Sequence, residues 1–457
     1  MKRVFLYLTV LILTASVAQP LLQISSANTK VRHTVIAASG DAAPAGGNYL
    51  SSSFANVSLN ARHDVAFDAS VGVTTGVFVG DGETTTTTAL GDTFGFVSNP
   101  FITANGDVVF DANNSDTYRS NGKSIVHLVS VGDPAPGGGT LSPFGRITND
   151  NGAIAFAASV SDSTATQGIF RSDGTQTVAI ARDDMTPPTG GSFLVIGSQA
   201  INDPGQVAFY SVMTGGASEF GIFRGEGQDL TPVFVANQIG PGGQTFADFG
   251  NPVINNHGQV AATVSFTNNE AGIFVGDGTD TGTVAIAIQH QAAPKGGNYT
   301  GQFQVPTRFN DRGEVAFTAR LTGGTSSTGL FRGDGKSTIP IALVGTNAPG
   351  TTGTFATFRD VQLLNDGRVA FIATLTVGVG GVTTANNTGI WVGTSDEDLQ
   401  LVARTGDIIE GKVLTRLPAL PQSGQLEMNE NSIVWVGTFG IAKAVILSRV
   451  LGSDEVE

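Results

Sequence analysis

The nine residues FNDRGEVAF, Phe309–Phe317, decide how this chain folds, because the chain writes them repeatedly. INDPGQVAF occupies 201–209, ITNDNGAIAF 147–156 and LLNDGRVAF 363–371. Asn310-Asp311-Arg312-Gly313 supplies a side chain able to bond its own turn and a residue free to adopt positive φ. That predicts a tight connection between two antiparallel strands. After the turn, Val315 and Phe317 point to one face and Ala316 to the other. Both faces are apolar, so the strand lies in a sheet covered on both sides. A large Phe backed by a small Ala suits stacked sheets whose facing residues interdigitate.

The motif occurs eight times, with its final position at Phe67, Phe110, Phe156, Phe209, Ala262, Phe317, Phe371 and Val436. A second signature follows each copy: GVFVGDG at 76–82, GIFRSDG at 168–174, GIFRGEG at 221–227, GIFVGDG at 272–278, GLFRGDG at 329–335 and GIWVGTS at 389–395. The second copy has only TYRSNGK at 117–123. Gly-Asp-Gly closing a strand is a hairpin signal. An apolar stretch such as TVAIAIQH (283–290) then runs into a Gly/Pro loop. Each unit therefore holds four antiparallel strands, which is the signature of a propeller blade. A string of sandwiches would need about 100 residues per unit.

The eighth copy runs out before a fourth strand, while HTVIAASGD at 33–41 matches the fourth strand of the other units. The expected fold is an all-β propeller of eight four-stranded blades, closed by its N-terminal strand, which would protect the sheet edges. Seven blades follow if the degraded second copy does not form one.

Composition agrees. Of 457 residues only 14% are charged, 40% are hydrophobic and 61 are glycine, a profile of short strands and polar turns. The net charge of −14 repels phosphate backbones and makes nucleic acid a poor partner. Without cysteine, disulfides, thiolate metal sites and cysteine nucleophiles are excluded. The N-terminus MKRVFLYLTVLILTASVAQP has two basic residues and then a short apolar run. That run falls short of the roughly 20 residues of a spanning helix. It reads as a signal peptide over 1–27, cleaved after Ala18 or Ala27, followed by a single repeat-built domain over 28–457. The expectation is a secreted or periplasmic, monomeric, acidic bacterial protein with no integral membrane segment after cleavage.

The pattern Asn-x-x-Gly-x-x-Ala-Phe, close at Asn149–Phe156, Asn202–Phe209 and Asn310–Phe317, resembles the tandem repeat of exported bacterial choice-of-anchor NxxGxxAF-containing proteins. Copies depart from it at His63 for glycine, at Thr103 and Leu364 for asparagine, and at Ala262 for phenylalanine. The resemblance implies export and repetition, and carries no activity.

No catalytic, cofactor-binding or metal residue is assigned from the sequence. His33, His63, His127, His257 and His290 show no metal-ligand spacing, and His63 and His257 fall in repeat turns, where solvation is expected. Acidic turns (Asp277, Asp311, Asp334, Glu226, and Asp41, Asp92, Asp133 and Asp407 after fourth strands) raise calcium as a cofactor. Each offers only one or two oxygens, so turn chemistry is the preferred role. Arg171, Arg224 and Arg332 are expected to pair with acids of their own blade. The leading functional reading is a non-enzymatic binding module for a protein, glycan or surface polymer, acting through long variable loops on one face. The alternative is a carbohydrate-active or other hydrolytic propeller with carboxylates near the central channel.

Overall fold

Eight separate antiparallel sheets follow one another along the chain and close into a ring. A computed structural model of the protein describes residues 31–451, apart from 52, 114, 228, 280, 305–308 and 419–424. The expected signal peptide lies outside the described residues. Blade one is Val57–Leu59, Val65–Val71, Thr74–Gly80 and Thr85–Leu90, hydrogen-bonded in chain order. Blades two to seven repeat that order, with first strands Val97–Ile102, Thr140–Thr148, Ser192–Ile201, Phe246–Phe249, Asn298–Gln304 and Phe355–Leu363. In blade five Pro252 interrupts the first strand, which resumes at Val253–Ile254. The degraded second copy is a complete four-stranded blade, so the count is eight.

Blade eight joins the two ends of the described chain. Leu426–Asn429, Ser432–Phe439 and Ala442–Val450 are completed by Val31–Ala38 on the outside. His33 lies opposite Ser448 and Ala38 opposite Ala444, so the closing strand pairs where the repeat predicts.

The core runs between blades. Phe317 packs with Tyr299 and Phe331 of its own blade and with Ala261, Ile273 and Val275 of blade five. On the other face, Ala316 and Leu330 receive Phe371, Trp391 and Phe355 of blade seven. The large face of one blade thus fills the small face of the blade before it. Within a blade the two motif aromatics are cross-strand partners: Phe317 and Phe331 have ring centroids 5.6 Å apart, Phe209 and Phe223 5.8 Å.

Two copies solve this packing differently. In blade five Ala262 takes the place of the phenylalanine, and Phe246 moves against Phe274, with centroids at 5.0 Å. In blade eight the residue matched by alignment, Val436, faces blade one, and Trp435 does the phenylalanine's work against blade seven. Asn429 pairs directly with Ser432, leaving a two-residue turn at Glu430-Asn431. The other copies have a longer turn. The shortened turn moves the register by one residue, and in a strand that exchanges the two faces.

The repeat asparagine does two jobs. Its Oδ1 accepts the backbone N–H four residues on, as at Asn202–Gln206 (2.7 Å) and Asn310–Glu314 (2.8 Å). Its Nδ2 donates to the backbone carbonyl of the matching residue in the next blade. Asn149 reaches Asn202 at 2.8 Å, Asn202 reaches Asn255 at 2.9 Å, Asn255 reaches Asn310 at 3.1 Å and Asn310 reaches Leu364 at 2.9 Å. The motif glycine closes the turn at positive φ, +78° at Gly313.

The arginines latch the same turns from outside. Arg119 donates to the Gly152 carbonyl at 3.1 Å, Arg171 to that of Gly205 at 2.9 Å, and Arg224 to that of Gly258. Arg171 and Arg224 therefore hydrogen-bond across to the next blade rather than to acids of their own blade. Arg332 does meet the expectation, with Glu314 at 2.5 Å. A turn carbonyl pointing outward gives a guanidinium a fixed acceptor, which a flexible carboxylate does not.

Candidate functional site

The first strands of all eight blades line a central channel of about 1240 Å³. At one end stand the residues that follow the repeat-asparagine position: Asp150, Asp203, Asn256, Asp311 and, after Leu364, Asn365. They form a chain of side-chain bonds. Asp203 accepts the N–H of Asp150 at 2.9 Å, Asn256 that of Asp203 at 2.9 Å, Asp311 that of Asn256 at 2.8 Å, and Asn365 that of Asp311 at 2.8 Å. These side chains hold neighbouring turns together.

Further along the channel the first strands bulge. Register shifts fall between Ser98 and Phe101, Phe144 and Ile147, Gly197 and Gln199, and Arg359 and Gln362. Each shift holds a residue at positive φ: Asn99 (+52°), Gly145 (+65°), Ser198 (+51°) and Asp360 (+50°). All four stand four residues before the repeat-asparagine position. Three are not glycine, and a left-handed backbone there costs energy that a plain strand would avoid. Bulges re-aim side chains, and here they bring Asn99, Arg146, Arg359 and Asp360 onto the channel wall, joined by Asn56 and Gln425.

In blades one to three the wall residues Asn56, Asn99 and Arg146 are held by two acids, Asp68 and Asp111. Asp68, 5% exposed, accepts the backbone N–H groups of Ala55, Asn56 and Asn99 and the Asn56 side chain. Burial pushes its carboxyl up from the ordinary value, against the pull of these donors. Asp111 accepts Arg146 Nε at 2.6 Å, Asn99 Nδ2 at 3.0 Å and Thr117 Oγ1 at 3.2 Å. Arg146 also donates to the Asn99 carbonyl at 2.7 Å. Four blades on, across the ring, Arg359 meets Asp360 at 2.9 Å. Ile147, Val253 and Val361 supply apolar wall between the two polar ends. Asp68 breaks the repeat with a buried acid, and Asp111 places a half-buried one at the matching position of blade two. The signal was legible: an acid directly follows the motif phenylalanine only in the first two copies, VAFD and VVFD.

Asp311 belongs to the inter-blade chain above, whereas acids of other short turns cap their own hairpins. Asp334 Oδ1 accepts the N–H groups of Lys336 and Ser337, both at 2.8 Å, and Asp81 those of Glu83 and Thr84. Asp41, Asp133 and Asp407 accept the N–H three residues back, at 2.7–2.9 Å. Asp92 instead lies in the first turn of a four-residue helix, Gly91–Phe94. Among the described residues, no three acids or histidines are grouped as a metal site. His257 is exposed, but His63 is bonded through Nδ1 to Ser432 Oγ at 2.9 Å and is not simply solvated.

The loops between blades prove less variable than the sequence suggests. Ala43, Ala135 and Ala293 each donate to the glycine carbonyl four residues on, at 2.9 Å, and Tyr49, Leu141 and Tyr299 close the loop in the same way each time. Repeated backbone bonding makes them part of the scaffold. The connection from blade one to blade two departs from this bonding, since it holds the short helix Gly91–Phe94.

Comparison with solved structures returns propellers at low identity. A puromycin hydrolase S511A mutant complexed with PGG aligns with TM-score 0.43 and 10% identity over 84% of this chain and 59% of that one. The match thus spans less than two thirds of that enzyme. Virginiamycin B lyase from Staphylococcus aureus gives 0.34, 11%, 92% and 99%, and the Dos1 propeller 0.42, 10%, 92% and 96%. Likenesses this weak carry no argument about ligand or activity. No curated protein sequence matches the chain. Residues 77–410, most of the repeat array, match one family model, and the chain belongs to that family of unknown function, DUF7453.

Proposed function

We propose that this protein is an exported binding propeller that takes a polar, uncharged polymer, a glycan chain, at the bulged end of its channel. The observation that carries the reading is the set of left-handed, non-glycine bulge residues: Asn99 and Asp360 are held in a costly conformation on the channel wall. Strain of this kind clusters where a surface has a task. The wall offers amides (Asn56, Asn99, Gln304, Gln425) that donate and accept together, beside apolar Ile147 and Val361. That mixture suits hydroxyls on an otherwise apolar ring. Binding is favoured over hydrolysis because the channel acids are engaged. Asp203 and Asp311, which line the channel, each use both oxygens on N–H donors. The leader-like N-terminus and the NxxGxxAF resemblance support export.

The test is a glycan array probed with labelled protein, wild type against Asn99→Gly. Glycine accepts a φ of +52° freely, so the variant loses the amide and keeps the bulge. The expected result is glycan binding by the wild type, weakened in the variant at unchanged melting temperature. Absence of any glycan binding, or equal binding by both, rejects the reading.

A further inference from the structure

Blade eight holds together through two histidines that the repeat does not use elsewhere. His33, on the closing strand, places Nδ1 2.8 Å from Ser448 Oγ. The same oxygen receives Trp435 Nε1 at 2.8 Å. An indole N–H can only donate, so Ser448 accepts it, and because His33 Nδ1 is the one acceptor for the buried Ser448 hydroxyl among the described residues, that proton turns to His33. That requires a neutral imidazole protonated on Nε2. On the other side of the blade, His63 of blade one places Nδ1 2.9 Å from Ser432 Oγ. His63 occupies a repeat-glycine position at φ +67°. Ser432 and Ser448 are both 0% exposed and lie on adjacent strands, Ser448 opposite Ile433.

Protonating His33 sets two donors against each other and leaves the buried Ser448 hydroxyl proton without its acceptor. Burial already holds both imidazoles below the ordinary histidine range, and at His63 the Arg449 guanidinium adds to it, while Glu430 and Asp64 pull the other way. Around the closing strand, Arg32 lies opposite Arg449. The blade-one turn carrying Asp81 and Glu83 packs at Thr34, with Asp81 engaged by its own turn. Towards blade seven, Arg368 is held by Asp366 and Asn431.

We propose that blade eight is an acid-operated clasp, in which protonation of His33 and His63 releases the Val31–Ala38 strand and opens the ring at one seam. Both groups bind a proton less readily folded than unfolded. Their contribution is therefore full above about pH 6.5 and is lost as the pH falls below it. The clasp does not depend on what the channel binds.

Hydrogen exchange on the intact protein at pH 7.5, 6.5 and 5.5, corrected for intrinsic rates, tests it. Protection of residues 31–38 and 444–450 should fall by roughly tenfold more than that of blade four. In the double variant His33→Gln, His63→Gly the difference should vanish. Equal loss across all blades, no loss at the seam, or an undiminished seam effect in the double variant each overturns the proposal. The comparison of blades within the wild type decides the matter even where the double variant does not fold.

Discussion

Asn202 Nδ2 donates to the backbone carbonyl of Asn255, 2.9 Å away and one full blade along the chain. A residue that looks like local turn chemistry is therefore an inter-blade fastener, and it is 3% exposed. Asn202→Ala removes the donor and strands a buried carbonyl, which should cost about 1–3 kcal/mol by chemical denaturation. The complementary change is Thr103→Asn. Thr103 stands where the ladder lacks its asparagine, and its buried hydroxyl has no partner among the described residues. Restoring the donor should raise stability by about 0.5–1.5 kcal/mol, and a loss would show that blade two is spaced too closely for the latch.

Phe317→Ala should cost about 3–5 kcal/mol, since Phe317 is fully buried between blades five and six and its cavity is walled by Phe331 and Tyr299. The reverse change at the exceptional copy should also destabilise. Ala262→Phe meets space already filled by Phe246, and overpacking of this kind costs about 1–3 kcal/mol. Denaturant midpoints of both variants check the pair.

Deleting residues 28–40 removes the outer strand of blade eight and leaves the edge of Ala442–Val450 unpaired. The expected outcome is a sharply lower melting temperature and rapid proteolysis in blade eight. An unchanged melting curve would mean that closure contributes nothing to the ring.

The hairpin aspartates give an acid limb. The N–H groups of Thr84 and Glu83 hold the Asp81 carboxyl below its ordinary value. At Asp173, Asp277, Asp334 and Asp398 burial pushes the carboxyl up, but turn hydrogen bonds outweigh it and the net direction is down. A lowered carboxylate contributes stability above its unfolded pKa of about 4, and that is lost as the pH falls through the folded value. Thermal melts should therefore show a second loss below about pH 4, separate from the histidine step. Asp334→Asn should reduce its size.

The sequence alone determined the architecture, because a four-strand unit repeated eight times leaves few ways to bury two apolar faces per sheet. Asn310, Gly313 and Phe317 announced turn and packing within nine residues, and 33–41 announced the closing strand. Local chemistry is what such a motif encodes, and the hairpin aspartates followed the same logic. Only the tertiary structure decided what each turn touches in the next blade. The Asn202–Asn255 latch joins residues 53 positions apart, and Arg171 finds the Gly205 carbonyl rather than an acid of its own blade. It also decided that Trp435, not Val436, fills the phenylalanine's place, since one missing turn residue exchanges the faces of a strand. The channel wall was hidden for the same reason: a bulge is set by how two strands are forced to pair around a ring. Asn99, Arg146 and Asp360 line one channel only because the chain returns to the same axis eight times.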